Sequence, residues 1–286
     1  MRANLAAVLV CLLPILLFSA NCSEIGVNGT IYSSIVLSED LTSFGDCLLI
    51  GRDNVTLDCA GHSLTGAGGG TGLYIFGKRS VEVKNCLISG FNYGIYASFS
   101  ESSFFTGNKI SKCYIGIIIS SSSALTFEKN SVDENGQGIY AYGLQDSIIS
   151  GVNARNNKGH GLELRSSVSN KIKSNDFSGN LVGLGIYSSS DIEVKGNDLR
   201  ACYTSYKEST VRGVVLSDNA QDIISGSGWV SIFKDVRSMF AIGIVIVILG
   251  GTAYIMGLGR PKKPGKGGLQ LDKFDFRDIG RTKGRD

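Results

Sequence analysis

The chain offers few side chains suited to metal or acid–base chemistry, and their spacing says what they could do. It holds 2 histidines, 7 cysteines and 3 methionines in 286 residues. A copper centre needs several nitrogen or sulfur ligands held together. His62 and His160 stand far apart and the cysteines are scattered, so no metal and no cofactor is expected. Asp133 and Glu134 are adjacent, with Asp146 further on. That is a sparse set for a lyase, which wants clustered acids for calcium and a base to take a proton. They read as solvated turn acids. Asp176 and Asp198 each follow an asparagine at the same phase of a repeat; a calcium bridge between them is the competing reading to two further turn acids. His160, between Gly159 and Gly161, reads as a turn residue, and no catalytic residue is assigned.

What positions these residues is an internal repeat. A glycine followed by Ile or Leu and a second apolar residue falls at Gly72, Gly94, Gly116, Gly138, Gly161 and Gly183, at spacings of 22, 22, 22, 23 and 22 residues. An asparagine follows at a similar offset: Asn85, Asn108, Asn130, Asn153, Asn175 and Asn197. Each unit carries three short apolar clusters rich in Ile, Val and Phe, too short for helices. In the unit at Gly116, Ile117 and Ile119 alternate, then come Leu125 and Phe127, then Val132. One such unit cannot bury its apolar face alone, whereas stacked units at roughly 4.8 Å per rung form a continuous core. The expected fold is all-β: a single parallel β-helix of about eight coils over residues 47–226. The asparagines should form a ladder inside one turn, amide to amide.

The repeat also aligns an outward column. The middle residue of each first strand reads Leu49, Tyr74, Tyr96, Ile118, Tyr140, then Glu163, Gly185 and Val215. Tyrosine faces suit sugar rings and the phenol adds a hydrogen bond, so Tyr74, Tyr96, Ile118 and Tyr140 are the candidate ligand-binding residues. The alternative is that stacked tyrosines only stabilise the sheet.

The stretch from Cys47 through Asn54-Val55-Thr56-Leu57-Asp58-Cys59 to Gly66, followed by in-phase repeats, resembles the right-handed parallel β-helix proteins of the pectin-lyase-like class. The resemblance is to the carbohydrate-binding and sugar-hydrolase type repeats, which include the periplasmic copper-accessory protein of nitrous oxide reductase maturation and many archaeal surface proteins. It implies a right-handed coil. Polygalacturonases, another branch, carry a Gly-His-Gly like that at Gly159-His160-Gly161, with acids one and two coils earlier. Here those positions hold Gly136-Gln137 and Tyr114-Ile115, and none is acidic. Glycoside hydrolysis needs a carboxylate pair, so the hydrolase chemistry is not expected.

Flanking segments complete the expectation. Arg2 and the apolar run Leu5–Phe18 read as a leader over residues 1–22, cleaved between Ala20 and Ser23. Residues 23–46 read as an irregular, polar cap with a strand-like Thr30–Leu37. After Gly183 the period breaks, with the next start at Gly213 and a loop extruded near Cys202–Val211. Residues 227–238 suit a short amphipathic segment. Residues 239–259 are uncharged and long enough to span a bilayer, and Arg260, Lys262, Lys263 and Lys266 follow, placing the tail 260–286 inside and the β-helix outside. The tail has 9 Lys/Arg against 4 Asp/Glu, which attracts it to anionic lipid. The part between leader and span is nearly neutral, with nothing that suggests nucleic acid. Cys59 and Cys86 occupy similar places in neighbouring coils and could be bridged; Cys113 and Cys202 read as small core residues. Asn28 and Asn54 match the N-glycosylation pattern. The functional expectation is a membrane-anchored, non-catalytic, extracytoplasmic protein binding glycan or a surface partner. Its rivals are a polysaccharide-active enzyme and a structural envelope component.

Overall fold

The computed structural model describes residues 20–221. Each turn of the chain contributes up to three short strands, for example Tyr93–Ser98, Phe104–Thr106 and Lys109–Ser111 before the next turn starts at Ile115. Strands of successive turns pair in parallel and in register, giving three sheets of 9, 9 and 6 strands. The third sheet ends at Ser131–Val132 and is continued by isolated bridges through Asn153, Asp176 and Asp198 to Ala220. The architecture is a parallel β-solenoid.

Alternation explains the core. Within each strand the inward residues stack in columns: Leu73, Ile95, Ile117, Ile139, Leu162 and Leu184 in the first sheet are fully buried. In the second sheet Phe105 and Phe127 lie 4.5 Å apart with parallel rings. Each buried aliphatic contributes roughly 1.5–3 kcal/mol, and the stack repeats that gain turn after turn.

The repeated glycine has a steric cause. A Cβ on Gly94 would lie 2.4 Å from Ile110 Cγ2 and 2.5 Å from the Gly116 carbonyl; one on Gly138 would lie 2.4 Å from the Gly161 carbonyl. No side chain fits between that strand start and the coil stacked on it. A Cβ on Gly183 would likewise lie 2.7 Å from the Ser205 carbonyl.

Three expectations change. The coil after Gly183 starts at Ser205, within the strand Thr204–Ser209, which pairs with Val182–Tyr187. The chain over Cys202–Val211 is therefore a regular turn rather than an extruded loop, and Val215 belongs to the second sheet, paired with Glu193. Ser205 is tolerated where glycine was required because no further described strand stacks on it. Residues 23–46, expected as an irregular cap with a strand-like Thr30–Leu37, form a turn of their own: Thr30–Ile31, Ile35–Val36 and Leu41–Ser43 pair onto the next turn. This turn brings the first two sheets to nine strands where about eight coils were expected. Finally, Ala20–Asn21 pairs with Leu41–Thr42, and Cys22 is bridged to Cys47. A leader ending at residue 22 would remove half of that bridge, so only cleavage before Cys22 is compatible with it.

Cys59 and Cys86 form the second disulfide, between adjacent turns. Cys113 and Cys202 are buried, with Cys113 Sγ donating to the Ser111 carbonyl and Cys202 Sγ to that of Phe177. Among the described residues no helix is long and apolar enough to cross a membrane. The leader's apolar run and the segments 227–238, 239–259 and 260–286 lie outside the described residues.

Candidate functional site

The first sheet carries two kinds of side chain on its outer face. Leu49, Tyr74, Tyr96, Ile118, Tyr140, Glu163, Gly185 and Lys207 stand directly opposite one another in successive strands. The last rung of the column is thus Lys207, where Val215 was expected. Tyr74, Tyr96, Ile118 and Tyr140 are all half-buried. The Tyr74 and Tyr96 rings are 5.2 Å apart, Tyr93 meets Tyr96 edge-on at 6.0 Å, and Phe76 meets Phe99 at 5.6 Å. Desolvation, foremost, pushes the Tyr74 phenol above its ordinary value, so it stays a neutral hydrogen-bond donor.

The face gains extra residues from a break in alternation. Gly161 and Leu162 are both buried, as are Gly94 and Ile95. The residue before the glycine and the second residue after it therefore share the outer side. This puts Tyr93 beside Tyr96 and His160 beside Glu163.

At the second end of the face a polar cluster replaces the aromatic column. Glu163 is only 5 % exposed. Gln137 Nε2 donates to its carboxylate at 2.7 Å, His160 Nδ1 lies 3.3 Å from it, and Arg165 Nε donates to its other oxygen. The His160 Nε2 is 3.3 Å from the Tyr187 hydroxyl, and the Arg165 guanidinium sits 4.5 Å from the centre of the Tyr187 ring. If Nδ1 carries the proton toward Glu163, Nε2 is left to accept from Tyr187. Burial, foremost, pushes His160 below the ordinary histidine value; Glu163 opposes this while Arg165 and Lys207 add to it. Gly185 makes the cluster possible, since a Cβ there would lie 2.8 Å from Tyr187 Cε2 and 2.9 Å from His160 Cδ2.

His160 is therefore the first residue of a strand and not a turn residue. Its acidic partner lies three residues ahead on the same strand rather than one or two coils earlier. The signal was available: a Gly-Leu pair, both inward, brackets His160 and Glu163.

The asparagine ladder is displaced in two turns. Asn108, Asn130, Asn175 and Asn197 are buried, and Asn219 continues the series. Asn130 Oδ1 accepts from both the backbone and the side chain of Asn108, while its Nδ2 donates to the Phe105 carbonyl at 2.8 Å. Asn85 and Asn153 are exposed and outside it; their neighbours Cys86 and Val152 hold the ladder position, where each donates only its backbone N–H, Cys86 to Asn108 Oδ1 and Val152 to Asn175 Oδ1. A second ladder at another corner, Asn135, Asn157 and Asn180, escaped the sequence reading.

Asp176 lies 3.8 Å from Arg155, which also meets Asp133 at 3.5 Å, and Asp198 is held by Arg200. Among the described residues no three His, Cys, Asp or Glu side chains gather as a metal site. Asn28 and Asn54 are exposed, both in left-handed turns.

The sequence profile described as "Right handed beta helix region" matches residues 46–199 and 135–231. The chain belongs to the right-handed β-helix family. Among solved structures, the β-helix is similar to the A-module of Azotobacter vinelandii mannuronan C-5 epimerase AlgE6, with 15% identity and a TM-score of 0.51 over 66% of this chain and 60% of that one. It is also similar to tailspike protein 2 of bacteriophage CBA120, with 14% identity, a TM-score of 0.54, and 67% and 38% covered. A periplasmic alginate epimerase, AlgG, gives 14% identity, a TM-score of 0.52, and 66% and 61% covered. At these identities the likeness is one of fold, and the chain spans less than two thirds of each of those chains. No curated protein matches the sequence.

Proposed function

We propose that the outer face of the first sheet binds an extended glycan, or a surface partner presenting one, without turning it over. The β-helix would stand outside the cell, exported by a leader built on the apolar run Leu5–Phe18 and anchored by 239–259, with 260–286 inside. One observation carries the reading. Tyr74, Tyr96, Ile118 and Tyr140 form a half-exposed apolar column over four consecutive rungs, roughly 14–15 Å at β-strand spacing. A flat run of that length fits a polymer lying along the helix axis, with ring faces against the tyrosines. Two of the proteins that share this fold are named as epimerases of mannuronan and alginate, which makes a polysaccharide the class of ligand to try first. Tyr96→Ser tests it, because it removes the central ring and keeps a residue that strands tolerate. The full chain carrying Tyr96→Ser should bind its glycan at least tenfold more weakly, about 1.4 kcal/mol, with circular dichroism unchanged. Unchanged affinity with a lowered melting point would leave the tyrosines a purely structural role.

A second reading, a polysaccharide-active enzyme, is favoured by the Glu163–His160–Tyr187 series. A buried carboxylate orienting a neutral imidazole toward a phenol is an arrangement that can move a proton. Mannuronan and related polymers, followed by NMR of the product, are the assay. Turnover that disappears in both His160→Ala and Glu163→Gln, with folding kept, would replace the binding reading by this one.

A further inference from the structure

A cavity of about 750 Å³ opens at the corner that leads from the third sheet into the first, lined by Lys112, Tyr114, Glu134, Gly136, Gln137, Lys158 and Gly159 among others. Its volume lies in the range of small-molecule sites. The floor is made of backbone. A Cβ on Gly136 would lie 2.4 Å from the Tyr114 carbonyl, and one on Gly159 would lie 3.1 Å from the Gly136 carbonyl. Two successive rungs beside Tyr114 thus present no side chain, and Tyr114 itself is 69% exposed as a wall.

Among the units that start from Gly72 to Gly183, the one spacing that departs from 22 falls at this rim. Asn135 and Asn157 are 22 residues apart, whereas Ile139 pairs with Leu162, 23 residues on. The extra residue is therefore inserted between Asn157 and Leu162, in the stretch that holds Lys158, Gly159 and His160. The insertion falls in the corner just before the strand His160–Arg165.

The rim combines both charges without using them. Lys112, Glu134 and Lys158 enter none of the ion pairs among the described residues. Glu134 opposes a simple anion, and the two lysines oppose a cation. An apolar ligand would use none of the three. A sugar ring answers each of them: its hydroxyls donate to the carboxylate and accept from the ammonium groups, and its C–H face packs on a phenol.

We propose that this corner cavity is a second carbohydrate subsite, taking one neutral pyranose ring, a branch or an end of the glycan, against Tyr114 and over Gly136 and Gly159. The proposal rests on the glycan-binding reading of the neighbouring face. Gln137 joins the two, lining the cavity while its amide donates to Glu163.

The test titrates the full chain with the methyl glycosides of glucose, galactose and mannose, and separately with glucuronate, following backbone amide shifts by NMR. The expected result is a saturable shift of the Gly136 and Gly159 amides with at least one neutral glycoside. Tyr114→Ala and Glu134→Gln, both at exposed positions, should weaken it at least tenfold, while Tyr96→Ser should leave it unchanged. No saturable shift at these glycines, equal affinity in the two cavity variants, or binding of glucuronate alone would each overturn the proposal. Because the glycine amides report on the cavity and Tyr96→Ser on the sheet face, loss of one reading is distinguishable from loss of the other.

Discussion

Asn130 shows what a ladder residue contributes. It satisfies the Asn108 backbone N–H, the Asn108 side-chain amide and the Phe105 carbonyl, all in a buried corner. Asn130→Ala strands these groups, and each buried group left unsatisfied costs roughly 1–3 kcal/mol. Urea unfolding should show the variant well below Lys109→Ala, whose side chain is exposed; equal midpoints would count against the ladder. His160 gives a pH signature. Its folded value lies below the ordinary 6.5 because burial disfavours the charged ring. In the unfolded chain the ring protonates first as pH falls, so the folded state binds fewer protons and loses stability. The contribution is intact above 6.5 and is lost between 6.5 and the lower folded value. The depressed carboxylates Asp40, Asp58 and Asp198 act only further down, as pH falls through the carboxylate range. The melting point should therefore fall just below neutrality in the native chain and less so in His160→Gln. Identical profiles would show that the imidazole is not linked to folding.

At the level of the strand, glycine sets how closely one turn sits on the next. Gly138 faces the Gly161 carbonyl, and an added Cβ would lie 2.4 Å from it and 2.9 Å from Asn157 Nδ2. The first contact is backbone on both sides, and the second touches a member of the second asparagine ladder. Relief requires the two turns to separate, and overpacking of this kind costs typically about 1–3 kcal/mol. Gly138→Ala should lower the melting point accordingly and raise amide exchange in strands Gln137–Tyr142 and His160–Arg165 before the rest. A variant as stable as the native chain would mean that the turns are not in contact at the glycines. The same argument explains Ser205, on whose strand no further described strand is stacked.

Across the whole molecule, the parallel stack makes a surface property out of a sequence period. A column one residue wide becomes a face nine strands long in the first sheet, aromatic toward one end and charged toward the other. The proposed topology places that face outside the cell. Protease added to intact cells should digest the β-helix and spare a tag placed after Asp286. Loss of the tag alongside the β-helix would overturn the orientation.

Much of the β-helix was legible from residue order, because a period of 22 with an inward Gly-Ile or Gly-Leu pair is local information. The apolar alternation around Ile117 and Ile119 assigned the strands, and the same phase put Tyr74, Tyr96, Ile118 and Tyr140 in one column. What escaped was whatever depends on register between turns. Asn85 and Asn153 sit one residue from Cys86 and Val152, which hold the ladder position, and in a strand a slip of one residue exchanges inside for outside. A glycine at every strand start would make Val215 a first-strand residue, but the need for that glycine comes from the coil above it, and Val215 pairs in the second sheet. His160 and Glu163 became partners only once both residues between them turned inward. Column membership and these contacts are set by hydrogen bonds between residues about 22 apart, summed over every turn below. Tertiary stacking alone resolves them, since each turn's register is referred to its neighbours and not to its own sequence.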